Sequence, residues 1–238
     1  MRSNFSTKGE DYMKWRIVLI MLIAAALMYI PYVDSVVKGF NTLFHEGGHA
    51  ITSLVTNGKV DNIKLFANTE GVTTTASSSW FSSLLTSISG YVFAAATAFL
   101  FAYLWHKHMH QSILYSTLIF ATLNLVLWVR NLYGLVWLVA ICAFLYFVVV
   151  KFKKEVNILS NVSLVLVLVL ITQSVVSSFD ILYLSYFTPN EAGDASNLAS
   201  STLLPSLVWG LGFFLQSLIW AFFSLRFIWK TKEKSIWF

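Results

Sequence analysis

The sequence predicts an all-α polytopic membrane protein of six to seven transmembrane helices with a small membrane-associated β-hairpin. Three observations carry that expectation. Hydrophobic residues make up 57% of the chain and charged residues only 11%, against about 25% charged in a soluble globule. Apolar runs long enough to span recur near 15–33, 82–105, 112–129, 132–150, 162–186 and 203–229. The basic residues behind the net charge of +5 gather beside those runs. Such flanks read as cytoplasmic anchors on a lipid bilayer and give no indication of nucleic acid. With short loops the 238 residues leave no room for a sizeable soluble domain, so residues 1–238 read as one membrane-integral domain.

Residues 1–14 form a polar tail ending in Lys14-Trp15-Arg16. The first apolar run closes on Tyr29-Ile30-Pro31-Tyr32. That ending lacks a small-x-small cleavage pattern, so the run reads as an uncleaved first span. The next segment, 39–56, is barely 18 residues long and broken by polar groups. It suits either a short span or a re-entrant helix. If it re-enters, both termini lie inside, and only Lys38, Lys59, Lys64 and Arg130 of the 16 Lys and Arg residues lie outside. A full crossing divides the basic clusters almost evenly, so the positive-inside rule favours the half-span. The half-span also sets loops 34–38 and 187–202 on one face of the membrane.

Between Asn57 and Trp80 the pattern changes. Val60, Ile63, Leu65 and Phe66 lead into Asn68-Thr69-Glu70-Gly71, a turn signal, and Val72–Thr75 follow as a β-branched run. Residues 59–76 therefore read as a β-hairpin at the membrane surface. The Ser/Thr-rich stretch up to Ser89 reads as a helix start with small packing residues. Arg130-Asn131 divides two spanning runs. The pair marks a tight turn, or else turns into the bundle to bind a substrate backbone or an oxyanion. Cys142, the only cysteine, lies mid-span, which excludes an intrachain disulfide and a Cys-based zinc cluster.

His45-Glu46-Gly47-Gly48-His49 carries the chemistry. Residues four apart on a helix share a face, so His45 and His49 can turn both imidazoles toward one zinc ion. Glu46 sits one residue round, where it can act as general base for a water that the metal activates. Ionisable groups inside a span are costly and usually functional. Each of the paired glycines would weaken a helix by roughly 1 kcal/mol unless close backbone approach is needed there. Two histidines leave a catalytic zinc one protein ligand short. His106, His108 and His110 lie in a loop with Lys107 and read as a solvated interface. Among the carboxylates, Asp34 reads as a cap and Asp61, Glu70 and Glu191 as loop residues. Asp180 ends an apolar run and Asp194 precedes the last span, so both remain candidates for the third ligand.

Several features together carry a resemblance. They are a first span, a helix with His-Glu-x-x-His followed by Ala50, a β-hairpin, and a span opening near Ser89-Gly90-Tyr91. A late element follows as Gly193-Asp194-Ala195, Leu198-Ala199, Thr202, Pro205 and Trp209. Over roughly 17–215 the chain resembles the site-2 protease superfamily of intramembrane zinc metallopeptidases, and within it a small bacterial branch. The Leu-Asp-Gly element of typical members is missing. The resemblance implies a multi-pass protein of a bacterial cell membrane that cleaves membrane-anchored proteins. It also implies Zn2+ on His45, His49 and Asp194, while the residues alone keep Asp180 as the alternative third ligand. Glu46 would be the base, and Arg130 or Asn131 could add a donor to the oxyanion. Two other readings share the motif: a catalytically silent scaffold or transporter-like protein with a structural metal, and a zinc hydrolase of lipids or peptides at the membrane surface.

Overall fold

A computed structural model describes residues 14–23, 26–30 and 33–231. A helical stretch over 14–23 (α1) is followed by α2 (Val33–Val55) and a hairpin of β1 (Lys59–Leu65) and β2 (Gly71–Ala76). Then come α3 (Trp80–His106), α4 (His110–Leu127), α5 (Leu132–Lys151) and α6 (Val156–Phe187). A 3-10 turn at Pro189–Glu191 leads to α7 (Gly193–Ser201) and α8 (Ser206–Lys230). Among the described residues five helices, α3, α4, α5, α6 and α8, are long and apolar enough to cross a membrane. Part of the expected first span, and the polar tail up to residue 13, lie outside the described residues.

Local chemistry sets the element boundaries. Asn57 takes a positive φ of 60° and ends α2. A side chain on the next residue, Gly58, would collide with the Ser53 hydroxyl and the Ala76 carbonyl, so only glycine lets the chain turn straight into β1. Ser79 caps α3, its hydroxyl accepting from the Ser82 amide at 3.2 Å. Where the sequence predicts a loop over 187–202, the chain forms the nine-residue α7. Its buried positions, Ala195 and Leu198, give a stripe too short to register as a span.

The bundle packs around α6, whose Leu164–Ile171 stretch is buried apart from Val165 and meets Ala94, Ala98, Phe101 and Trp105 of α3. The Trp105 indole donates to the Ser160 carbonyl at 3.1 Å, fixing α3 against α6. Phe44 of α2 stacks on Phe120 of α4 at 4.8 Å and meets Phe101 edge-on at 5.8 Å. α2 is thus held inside the bundle although it is not among the five apolar spans.

Among the described residues, the hairpin's backbone is tied in along one edge. β1 and β2 pair antiparallel, with Ile63 opposite Thr73 and Leu65 opposite Gly71. Along the outer edge of β1 the Ile63 amide donates to the Trp128 carbonyl at 2.8 Å, and the Arg130 amide donates to the Ile63 carbonyl at 3.1 Å. The Asn131 side chain completes this edge. Its Oδ1 accepts from the Leu65 amide at 3.0 Å and its Nδ2 donates to the Leu65 carbonyl at 2.6 Å. Since Ile63 and Leu65 direct their backbone groups away from β2, their partners Thr73 and Gly71 direct theirs away from β1. Among the described residues, the outer edge of β2 is the one left open.

Candidate metal centre and its surroundings

α2 brings the first two candidate ligands together through the helical repeat. His45 and His49 stand one turn apart, their Nε2 atoms 3.0 Å from each other and their rings nearly perpendicular. α7 supplies the third group from 145 residues further along the chain, with Asp194 Oδ2 at 3.2 Å from both Nε2 atoms. Among the described residues this is the group of His, Cys, Asp and Glu whose ligand atoms converge as a metal site requires.

The position of Asp194 follows from how its short helix docks. Gly193, at φ +46°, turns the chain into α7. Ala192, Ala195 and Leu198 then bury against Tyr91 of α3 and Phe213 of α8. Small residues on either side of Asp194 let its backbone come close to α3, from where its side chain reaches the α2 histidines. Thr202 closes the corner: its hydroxyl donates to the Leu198 carbonyl at 2.7 Å and accepts the Trp209 indole at 3.2 Å. Pro205 precedes α8. Burial works against a charge on Asp194. When protonated, the neighbouring His49 and His45 imidazoles outweigh it and hold the carboxyl well below the ordinary carboxylate range.

α3 forms the wall behind the imidazoles. His49 Nδ1 lies 2.6 Å from the Thr86 carbonyl. A carbonyl only accepts, so Nδ1 carries the hydrogen, and Nε2 is the nitrogen whose lone pair can serve a metal. Tyr91 packs edge-on against His45 at 4.5 Å between ring centres. Gly90 fits between them: a β-carbon there would sit 2.5 Å from His49 Nε2 and 2.6 Å from His45 Nε2. The paired glycines of the motif serve the same closeness. A β-carbon on Gly48 would strike Phe93 of α3, and one on Gly47 would strike Phe120 of α4.

Glu46 turns toward the hairpin. The Thr73 hydroxyl donates to Glu46 Oε2 at 2.6 Å, with the Glu46 carbonyl at 3.1 Å as the second acceptor of the same hydrogen. Gly71 lies against the same carboxylate, where a β-carbon would come within 2.5 Å of Oε1. Sequence reasoning finds neither residue, because a β-branched run predicts a strand and says nothing of which helix the strand meets. The Thr86 carbonyl is likewise invisible in sequence. Gly90 had a signal in Ser89-Gly90-Tyr91.

The remaining candidates stand elsewhere. Asp180 is exposed on α6 and is not part of the cluster. Arg130 donates to the carbonyls of Val126, Leu127 and Val129 at the end of α4. Asn131 is engaged with Leu65. Both thus serve the corner after α4, the turn alternative of the sequence reading. His106, the last residue of α3, meets Thr231 at 3.0 Å, and His110, buried at the start of α4, meets Ser163 at 3.4 Å, so these two have separate partners and do not lie in the solvated loop that the sequence predicts.

Three electron-pair donors aimed at one point repel one another unless a cation lies among them, which is the donor set of a metal site. The Peptidase M50B-like family model matches residues 18–224, a range that takes in α2, the hairpin and α7. No curated protein and no solved structure matches the chain. With that match covering most of its length, the chain belongs to the Peptidase M50B-like family, a family of site-2 proteases, and is at family level an intramembrane metallopeptidase.

Proposed function

We propose that the chain is a zinc-dependent endopeptidase of a bacterial cell membrane that cleaves membrane-anchored proteins, with His45, His49 and Asp194 holding the metal and Glu46 acting as general base. The observation that carries this reading is the convergence of His45 Nε2, His49 Nε2 and Asp194 Oδ2 within 3.0–3.2 Å beside an intact Glu46. A tetrahedral zinc with bonds of about 2.0–2.1 Å needs ligand atoms about 3.3 Å apart, close to these separations. Two imidazole nitrogens and a carboxylate oxygen also suit zinc chemically.

Bound zinc supplies a Lewis acid that polarises the scissile carbonyl and makes water nucleophilic near neutral pH. Glu46 handles the proton. With Oε2 taken by Thr73, Oε1 is the oxygen left to accept the proton of the attacking water and to return it to the leaving amine. The Thr86 carbonyl keeps His49 in the tautomer whose Nε2 can serve as a ligand. A substrate helix buries its amides in its own hydrogen bonds and must unwind before attack. The outer edge of β2, with the backbone groups of Gly71 and Thr73 turned outward, suits capture of the unwound strand by β-addition. The edge of β1 does not, since residues 128–131 cover it.

The test is reconstitution of the full chain in liposomes with a panel of single-span substrates, mapping each cut by mass spectrometry. Cleavage inside or at the edge of the substrate's span is expected. A zinc-loaded protein that cuts none of the panel speaks for the silent scaffold, and one that hydrolyses lipids or soluble peptides instead speaks for the surface hydrolase.

A further inference from the structure

We propose that Thr73 is the positioning residue for Glu46, and that the hairpin acts as a brace setting the carboxylate of the general base. The proposal rests on the reading of Glu46 as that base.

Three facts support it. The Thr73 hydroxyl reaches both Glu46 Oε2, at 2.6 Å, and the Glu46 backbone carbonyl, at 3.1 Å. A single side chain therefore relates the carboxylate to its own helix. Gly71, two residues earlier on the same face of β2, closes on Oε1 so tightly that any side chain there would displace the carboxylate. The strand that carries both residues is itself braced. Thr73 stands opposite Ile63, which is locked to Trp128 and Arg130, and Gly71 stands opposite Leu65, which is locked to Asn131. The order of support thus runs from the corner after α4 through β1 and β2 to Glu46. A hydroxyl suits the task because it donates to the anionic carboxylate without carrying a charge of its own, and a bond to a charged acceptor is strong. A carboxylate on a flexible stem otherwise samples several rotamers. Holding it in one leaves Oε1, packed beside Gly71, as the oxygen that the Thr73 hydroxyl does not engage.

The experiment uses the full chain in detergent, loaded with zinc, as wild type, Thr73→Val and Thr73→Ser. Valine keeps the β-branched shape that the strand prefers but has no hydroxyl, and serine restores the hydroxyl. The first readout needs no substrate. It is the infrared antisymmetric stretch of the Glu46 carboxylate, taken as the difference between each protein and its matching Glu46→Gln protein. The band should shift in Thr73→Val and return in Thr73→Ser, with zinc content equal in all three. The second readout is cleavage of a single-span substrate. In Thr73→Val kcat should fall roughly 10–100-fold, part of the ~10²–10⁴ that a well-placed general base contributes, with KM little changed. Thr73→Ser should recover most of it. An unmoved band in Thr73→Val, an unchanged kcat, or a serine variant as impaired as valine overturns the proposal. If wild type cleaves nothing, the endopeptidase reading fails by itself, and the infrared band still decides whether Thr73 holds Glu46.

Discussion

His49 Nδ1 lies 2.6 Å from the backbone carbonyl of Thr86, and Gly90 stands one turn further along the same helix. α3 therefore fixes one nitrogen of His49 and makes room for the other. The two contacts differ in kind. The carbonyl selects the tautomer, whereas Gly90 contributes by having no side chain where the imidazoles converge.

Gly90→Ala separates these roles because its effects on stability and on metal binding run in opposite directions. In a helix interior alanine is favoured over glycine by about 1 kcal/mol. The new methyl would nevertheless press on His45 and His49 at 2.5–2.6 Å. Helix content and detergent-resistant folding should hold or improve, while zinc affinity falls by roughly 10–100-fold, the range seen when ligand orientation is disturbed. Competitive chelator titration measures the fall. An unchanged affinity contradicts the packing described for Gly90.

The third ligand is tested by Asp194→Ala beside Asp180→Ala. Wild type should hold about one zinc per chain, since the site offers one tetrahedral set. Asp194→Ala should lose most of that zinc, as should His45→Ala or His49→Ala. Asp180 is exposed on α6, so Asp180→Ala should keep it. Metal analysis of all the variants in one detergent reads the result. Zinc lost from the Asp180 variant and kept by the Asp194 variant would reverse the assignment.

Asn131→Ala tests the anchoring of the hairpin. It removes the partners of the Leu65 amide and carbonyl, a pair whose loss costs on the order of 1–3 kcal/mol where the groups stay buried. Amide hydrogen exchange at Leu65 and along β1 should quicken, while zinc content stays at the wild-type level. Arg130→Gln removes only bonds to the end of α4 and should leave exchange in β1 near wild type. Equal exchange in both variants would remove Asn131 from its role as anchor.

Much of the fold was legible in the sequence because span length and strand alternation are local signals. The runs 112–129 and 132–150 became α4 and α5, and the turn at Asn68-Thr69-Glu70-Gly71 joined the two strands expected over 59–76. α7 was not legible, since nine residues with two buried positions give no periodic stripe long enough to read. At the site, the four-residue spacing of His45 and His49 is itself a helical geometry, so their meeting could be read directly. Asp194 joins them across 145 residues; its place before the last span made it a candidate beside Asp180, and the resemblance to a family element singled it out. Thr73, Gly71 and the Thr86 carbonyl act through tertiary contacts that leave no pattern in the chain. Asn131 suits either a turn or a substrate contact by sequence, and no sequence signal tells those apart. The chain places it on Leu65 because the edge of β1 needs a partner there.

The most direct measurement is zinc content and proteolysis determined together on Glu46→Gln and wild type in the same liposomes. Glu46 is not among the three converging ligand atoms, and an amide in its place cannot accept the proton of the attacking water. The variant should hold as much zinc as wild type while its cleavage of a membrane-anchored substrate falls by at least ~10²-fold. Cleavage at the wild-type rate by Glu46→Gln, or loss of zinc in parallel with activity, would contradict the role of Glu46 as the base beside a separate three-ligand metal site.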